Sequence, residues 1–146
     1  MNSNSIDGIH ANSLDGLNNL QFIDLKDNQI RFVDDDAWSS LTNIMTIALH
    51  RNQITMLPQI GFGNLTLLSK LFLHNNNITS IQASALDGLT GLQHMTLYNN
   101  HITFVDVNAF VHQRKLSVLK LNNNLIATIL TGTFHNVTQL SFLALN

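Results

Sequence analysis

The chain has 146 residues, of which 11% are charged, and its formal net charge at pH 7 is −2. This length suffices for one domain with a continuous core. The slight negative net charge argues against nonspecific electrostatic binding of nucleic acid. Cysteine is absent, which excludes a disulfide framework and a cysteine zinc site. No apolar run reaches the roughly 18 residues of a membrane span, and the first residues lack the basic and apolar regions of a signal peptide.

A strict 24-residue period runs through the chain. Each turn of this period carries a leucine or isoleucine at Leu20, Ile44, Leu68, Leu92, Leu116 and Leu140, and an asparagine at Asn4, Asn28, Asn52, Asn76, Asn100 and Asn124. The pattern L-x-x-L-x-L-x-x-N-x-L at this spacing predicts an α/β repeat solenoid. We predict a single domain over 1–146, with a partial unit 1–19, full units 20–43, 44–67, 68–91, 92–115 and 116–139, and a partial unit 140–146.

In chain order, each unit predicts one short strand, one turn and one convex loop. Apolar residues two apart place the strands near 22–26, 46–50, 70–74, 94–98, 118–122 and 142–145, stacked in parallel about 4.8 Å apart. The asparagine then ends the strand and pairs with buried backbone groups. A bulky apolar slot follows at Trp38, Phe62, Leu86, Phe110 and Phe134, with small or capping residues before it that are typical of a short helical turn. Gln113 is the one polar residue in an apolar slot.

With five complete units in phase, the chain resembles the typical 24-residue class of extracellular leucine-rich repeats. Segments such as 86–92, Leu-Asp-Gly-Leu-Thr-Gly-Leu, are similar to those in the ectodomains of Toll-like receptors, Slit-type guidance proteins and variable lymphocyte receptors. The resemblance implies a horseshoe with a parallel concave sheet and convex loops or short helical turns. It also implies a non-enzymatic recognition module of an extracellular receptor, immune or adhesion protein. Those ectodomains carry cysteine-rich caps that are absent here, so we interpret the chain as a fragment of a longer array.

Binding candidates are the strand residues that alternate with the core positions and therefore project onto the concave face. They are His50, Lys70, Phe72, His74, His94, Thr96, Tyr98 and Lys120. From the second full unit onward, Arg51, Lys70 and Lys120 give this face a mildly basic character without any acidic residue. The pattern favours a protein or glycoconjugate ligand with an acidic patch, and it predicts neither nucleic-acid binding nor direct membrane contact.

Two histidines invite a sharper hypothesis. His50 and His74 occupy equivalent slots on adjacent strands, so their rings should lie about 5 Å apart. Such a pair could share a metal ion or resist double protonation near pH 6. Because zinc takes three or four ligands and His94 lies too far away, we predict no metal site and no cofactor. No nucleophile elbow or phosphate-binding loop occurs in the sequence, which predicts that the chain is not an enzyme.

Three glycosylation sequons begin at Asn64, Asn77 and Asn136. They are compatible with secretion, although chance alone predicts about three in a sequence of this composition. An extracellular location is therefore an expectation that follows from the family resemblance. Two alternatives remain open: a structural protein that self-associates through its uncapped ends, and an intracellular or bacterial scaffold. The missing cysteines keep the second alternative open, since secreted relatives usually have disulfide caps.

Overall fold

A computed structural model describes residues 4–58, 62–63 and 65–146, and the chain forms a solenoid of parallel strands. Each strand is two or three residues long. In chain order the strands are β1 (Gly8–Ile9), β2 (Phe22–Asp24), β3 (Phe32–Val33), β4 (Thr46–Ala48), β5 (Lys70–Phe72), β6 (Ser80–Ile81), β7 (His94–Thr96), β8 (Phe104–Val105), β9 (Val118–Lys120) and β10 (Phe142–Ala144). The predicted solenoid with a parallel sheet is thereby confirmed.

The concave sheet consists of six strands in the order β10-β9-β7-β5-β4-β2. Each residue pairs with the residue 24 positions later, as Ile23 does with Ile47. Backbone hydrogen bonds continue past the strand ends, from the Leu25 amide to the Ala48 carbonyl (2.9 Å) and from the Asp27 amide to the His50 carbonyl (3.3 Å). Asp27 then adopts a positive φ of 54°, which turns the chain away from the sheet. The strands therefore lie where the sequence predicts them but end earlier.

Two further pairs of strands, β1 with β3 and β6 with β8, lie outside the concave sheet. Sequence analysis missed them because they are only two residues long and fall in segments that it assigned to loops. Ile9, Ile81 and Val105, one in each of three of these strands, are buried. Each pair therefore links two neighbouring units at a second place, outside the concave sheet.

The convex side is built from turns, and the described residues contain no helix. In the first full unit, amides bond to carbonyls three residues earlier: Ala37 to Asp34 (3.0 Å), Ser39 to Asp36 (3.2 Å) and Leu41 to Trp38 (3.0 Å). Because these bonds are separated by residues without them, no continuous helix forms. The prediction of loops or short helical turns is thus realised as turns.

The bulky convex slots form a buried spine. The rings of Trp38 and Phe62 stack with centroids 6.0 Å apart, and those of Phe110 and Phe134 lie 5.6 Å apart. Gln113, the polar break in the pattern, is only 1% exposed. Its side-chain amide donates to the Leu86 carbonyl at 2.8 Å, which satisfies one polar group inside the core. Among the described residues, no helix is long and apolar enough to cross a membrane.

Candidate binding surface on the concave sheet

A buried asparagine column fixes where each concave strand ends. The Asn76 amide nitrogen donates to the carbonyls of Leu49 and Leu73, both at 3.0 Å, and its oxygen accepts from the Ile54 amide at 3.0 Å. The side chain thus joins its own unit to the preceding one. Asn4 is exposed. Asn52, Asn100 and Asn124 make the equivalent bonds, with Asn124 only partly buried, and Asn28 accepts from the Ile6 amide and donates to the Leu25 carbonyl. We call these five bonded residues the buried ladder.

Above this framework, the register aligns the outward side chains in three rows. Row one contains Phe22, Thr46, Lys70, His94, Val118 and Phe142, and row two contains Asp24, Ala48, Phe72, Thr96, Lys120 and Ala144. Row three follows two residues later with Lys26, His50, His74, Tyr98, Asn122 and Asn146. All eight candidate binding residues therefore lie in these rows, on one face of the sheet.

Three rings of row three form a continuous stack. The centroids of His50 and His74 are 4.4 Å apart with planes inclined by 14°, and those of His74 and Tyr98 are 4.4 Å apart with planes inclined by 15°. The predicted spacing of about 5 Å between the two histidines is confirmed. Sequence analysis did not foresee that Tyr98 continues the stack, although it stands 24 residues after His74 in the same slot. We call His50, His74 and Tyr98 the ring stack.

Row two supports the ring stack from the side. The Phe72 ring meets His50 and His74 edge-on, at centroid distances of 6.3 and 6.5 Å. The Thr96 hydroxyl lies 2.8 Å from His74 Nδ1. Thr96 is only 9% exposed, so it departs from the expectation of an open ligand-contacting residue. Its hydroxyl instead shares a hydrogen bond with the His74 ring, which fixes the orientation of that ring.

The surroundings of the two histidines in the ring stack favour their neutral forms. Burial, followed by the neighbouring His50, Arg51 and Lys120, lowers the pKa of His74 to about 4. Burial also lowers the pKa of His50, and Lys26 acts in the same direction against the opposing influence of Asp24. Neutral imidazoles can stack closely without mutual repulsion. A protonated His74 would be unfavourable in this arrangement.

The geometry offers little to a metal ion. In the described part of the chain, no three histidine or acidic side chains come together as a group that could hold one. Within the histidine pair, Nδ1 of His74 faces the Thr96 hydroxyl and Nδ1 of His50 is buried. His94 lies in row one, away from the ring stack. The site therefore consists of stacked rings, hydrogen-bonding groups and positive charge.

Charge is distributed unevenly along the concave face. At the first strands, Lys26 pairs with Asp24 at 3.4 Å and Arg51 with Asp27 at 3.5 Å. Further along, Lys70 and Lys120 form no ion pair with any described residue, and the Lys120 ammonium lies 5.7 Å from the centre of the Phe142 ring. Phe22 and Phe142 are about half exposed at opposite ends of the sheet. The central and later strands therefore combine free positive charge with accessible aromatic surface.

A second, exposed asparagine column lies beside the buried one, and sequence analysis missed it. The Asn99 amide donates to the Asn75 side-chain oxygen at 2.9 Å, and the Asn123 amide donates to Asn99 at 2.9 Å. All three residues have φ between 55° and 56°. Asparagine tolerates this left-handed backbone better than most residues. The sequence signal for this column is repeated asparagine, with three in a row at 75–77 and at 122–124 and two at 99–100. We call Asn75, Asn99 and Asn123 the exposed ladder.

Two of the three sequons begin in the described part of the chain, at residues that do not belong to the three rows. Asn77 is exposed just after the buried ladder, and Asn136 is partly exposed on the convex side. Asn64 lies outside the described residues. A glycan on Asn77 or Asn136 would leave the concave face open.

The sequence matches the leucine-rich repeat family over residues 1–54, 42–102 and 90–146, which together span the chain. Comparison with curated protein sequences gives no match. Among solved structures, a chain of the TLR13-ssRNA13 complex is similar, with 30% sequence identity and a TM-score of 0.90. That similarity covers 97% of this chain and 20% of the other.

Two other solved structures share the fold. The APL1 leucine-rich repeat domain is 24% identical with a TM-score of 0.80, over 86% of this chain and 33% of that one. A chain of the Drosophila Toll–Spatzle complex is 23% identical with a TM-score of 0.80, over 90% of this chain and 17% of that one. The chain thus spans between 17% and 33% of the length of these three structures. Because the 24-residue units, the parallel solenoid and the family match agree, the chain belongs to the leucine-rich repeat family.

Proposed function

We propose that this chain is a non-enzymatic recognition module that binds a protein or glycoconjugate ligand through its concave sheet, in an extracellular receptor, immune or adhesion protein. The observation that carries the proposal is the ring stack with its neighbouring lysines. These side chains stand outside the hydrophobic core, so the fold does not require aromatic or basic residues there. Clustered aromatic residues beside positive charge are typical of binding hot spots.

The charge of the surface narrows the ligand. Within the described ranges, Lys70 and Lys120 form no ion pair with an acidic residue, which favours a ligand with carboxylates or other anionic groups. A long polyanion is less well matched, because the chain as a whole is slightly negative and the concave rows hold few cations.

Structural relatives support a recognition role. The Toll–Spatzle structure and an octameric complex of Latrophilin 3, Unc5D and FLRT2 contain protein partners, and the FLRT2 part is its leucine-rich repeat. The TLR13 structure contains single-stranded RNA. The likeness of the ectodomain relatives also supports an extracellular location for this chain.

A structural role is the rival from a different class. Leu143 and Leu145 occupy slots that are buried in earlier units, yet they are 37% and 45% exposed. Two copies could cover these side chains by stacking end to end, which would bury apolar surface. This rival predicts association that depends on the end residues and is indifferent to the concave rows.

Affinity capture from a pool of secreted and cell-surface proteins tests the proposal. The bait is the whole chain, compared with a Lys70→Ala, Phe72→Ala, Tyr98→Ala variant and a control variant with Phe104→Ala, His112→Ala and Lys115→Ala, whose changes lie off the concave rows. We expect a protein that both the wild type and the control retain and that the concave variant loses by at least tenfold.

Melting curves of the three baits establish that each is folded before capture is compared. Equal retention by all three would contradict concave recognition. Self-capture that Leu143→Ser or Leu145→Ser abolishes would instead support the structural rival.

A further inference from the structure

The ring stack ends at an open hollow. Tyr98 is stacked against His74 on one side, and Asn122 holds the equivalent position in the next unit. A hollow of about 360 Å³ opens there, lined by Tyr98, Lys120, Asn122, Phe142, Ala144 and Asn146. The next member of row three after Tyr98 is an asparagine, so the stack has no fourth ring.

The lining has two different parts. Asn122, which follows β9, and Ala144 of β10 line the hollow together with the Tyr98 and Phe142 rings. This leaves apolar ring surface facing an unfilled space. A flat, apolar group seated in the hollow would extend the stacking of His50, His74 and Tyr98 by one ring.

One positive charge is held beside that space. The Lys120 ammonium lies over the Phe142 ring, 5.7 Å from its centre, and no acidic residue lines the hollow. A ring that carried or adjoined an anionic group would therefore gain an ion pair when it docked. The volume lies near the lower end for ligand pockets, which suits a single side chain better than a larger molecule.

We propose that this hollow receives one aromatic side chain of a protein partner, stacked on Tyr98 with a neighbouring carboxylate paired to Lys120. The inference rests on the proposed concave recognition and names the chemistry of its anchor. A nucleotide fits less well because Lys120 is the one cationic residue in the lining and would have to neutralise a phosphate of up to two negative charges. A neutral sugar fits less well because it would leave the Lys120 charge without an anionic partner, although its hydroxyls could bond to Tyr98, Asn122 and Asn146.

Capped tripeptides provide the test, with backbone amide signals of the whole 15N-labelled chain as the readout. The probes are Asp-Tyr-Asp, Asp-Leu-Asp and Lys-Tyr-Lys, together with AMP and methyl β-galactoside as rival chemistries. We expect Asp-Tyr-Asp to shift the amides around Tyr98, Asn122 and Phe142. It should bind about threefold to tenfold more tightly than either other peptide, as one ring contact and one ion pair allow.

Variants connect the shifts to the hollow. Tyr98→Leu should weaken Asp-Tyr-Asp about threefold to tenfold, and Lys120→Gln should remove the preference over Lys-Tyr-Lys. The matched control Phe22→Leu changes an exposed aromatic residue at the other end of the sheet and should bind like the wild type. Both Leu variants must first give the dispersed amide spectrum of a folded chain.

Several outcomes overturn the inference: no shifts at the hollow, equal binding of the Leu peptide, unchanged binding by Tyr98→Leu, or stronger binding of AMP or the galactoside at the same amides. The proposed function can survive this failure. A partner that is lost with Lys70→Ala and Phe72→Ala but kept by Tyr98→Leu would show concave recognition without this anchor. Failure of all concave variants to affect capture would instead overturn the proposed function itself.

Discussion

Two asparagine columns run side by side along this solenoid, and they differ chiefly in their access to water. Asn76 of the buried ladder is 3% exposed and bonds to backbone groups of two units. Its neighbour Asn75, in the exposed ladder, bonds to the Asn99 side chain. A buried amide that loses its partners leaves desolvated groups unpaired, whereas water replaces a partner lost at the surface. The same residue type therefore carries different energetic weight at adjacent positions.

The largest expected effect is the loss of a buried rung. Asn76→Ala removes three hydrogen bonds and leaves the buried Ile54 amide without its partner, so we expect a loss of about 1–3 kcal/mol in unfolding free energy. The Leu49 and Leu73 carbonyls keep the hydrogen bonds that they accept from Asn52 and Asn100. Asn99→Gly is the matched change in the exposed ladder, since glycine accepts the positive φ at that position. It should cost no more than about 0.5 kcal/mol.

Chemical denaturation of both variants and the wild type measures the difference. The slope of the transition must be the same in all three for the comparison to hold. Equal losses of unfolding free energy for Asn76→Ala and Asn99→Gly would show that the buried and exposed ladders do not differ in their contribution to stability.

The ring stack, beside the ladders, should supply a pH dependence that the amides cannot. The folded-state pKa of His74 is about 4, below the ordinary value of 6.5, so the unfolded chain binds a proton more readily. This contribution to stability is fully present above about pH 6.5 and is lost as the pH falls towards 4. Solvent screening reduces it, because His74 is only partly buried. We expect a lower melting temperature at pH 5 than at pH 7, by less than Asn76→Ala causes.

A His74→Phe variant isolates this contribution. Phenylalanine keeps a ring in the stack and does not titrate, so the fall in melting temperature between pH 7 and pH 5 should become smaller. Asp24, Asp27, Lys26 and Arg51 face the pair from neighbouring positions and stay unchanged in both proteins. An undiminished fall in the variant would assign the pH dependence to other groups.

Much of this architecture could be predicted from the sequence, because a fixed period sets the register. Once Ile23 and Ile47 are placed in equivalent slots, the pairing of all six concave strands follows. The sequence predicts side-chain exposure and side-chain contacts less well, because these depend on which neighbouring side chains each residue meets. Thr96 is buried and hydrogen-bonded to His74, which the repeat spacing does not predict. The exposed ladder and the hollow beside Tyr98 depend on neighbouring side chains in the same way, and no spacing rule describes them.

The smallest expected effect on stability concerns the position at which the exposed asparagine column contains an arginine. Arg51 occupies the slot equivalent to Asn75 and has φ of 58°, a conformation that arginine adopts reluctantly. Arg51→Asn should relieve that backbone cost and could extend the exposed ladder by one amide. It also removes the Arg51–Asp27 pair, which is solvent-exposed and contributes little. We expect a net gain of about 0.5 kcal/mol in unfolding free energy.

Arg51→Lys is the control for this change, since it keeps the charge and the unfavourable backbone conformation and should leave stability nearly unaltered. Because Arg51 also lowers the pKa of His74, Arg51→Asn should reduce the loss of stability between pH 7 and pH 5, whereas Arg51→Lys should not. The unfolding free energy reports the relief of the backbone conformation, and its change between pH 7 and pH 5 reports the loss of the positive charge. A gain in both variants would mean that the arginine side chain itself is unfavourable there, and a gain in neither would mean that the left-handed position costs arginine no more than asparagine.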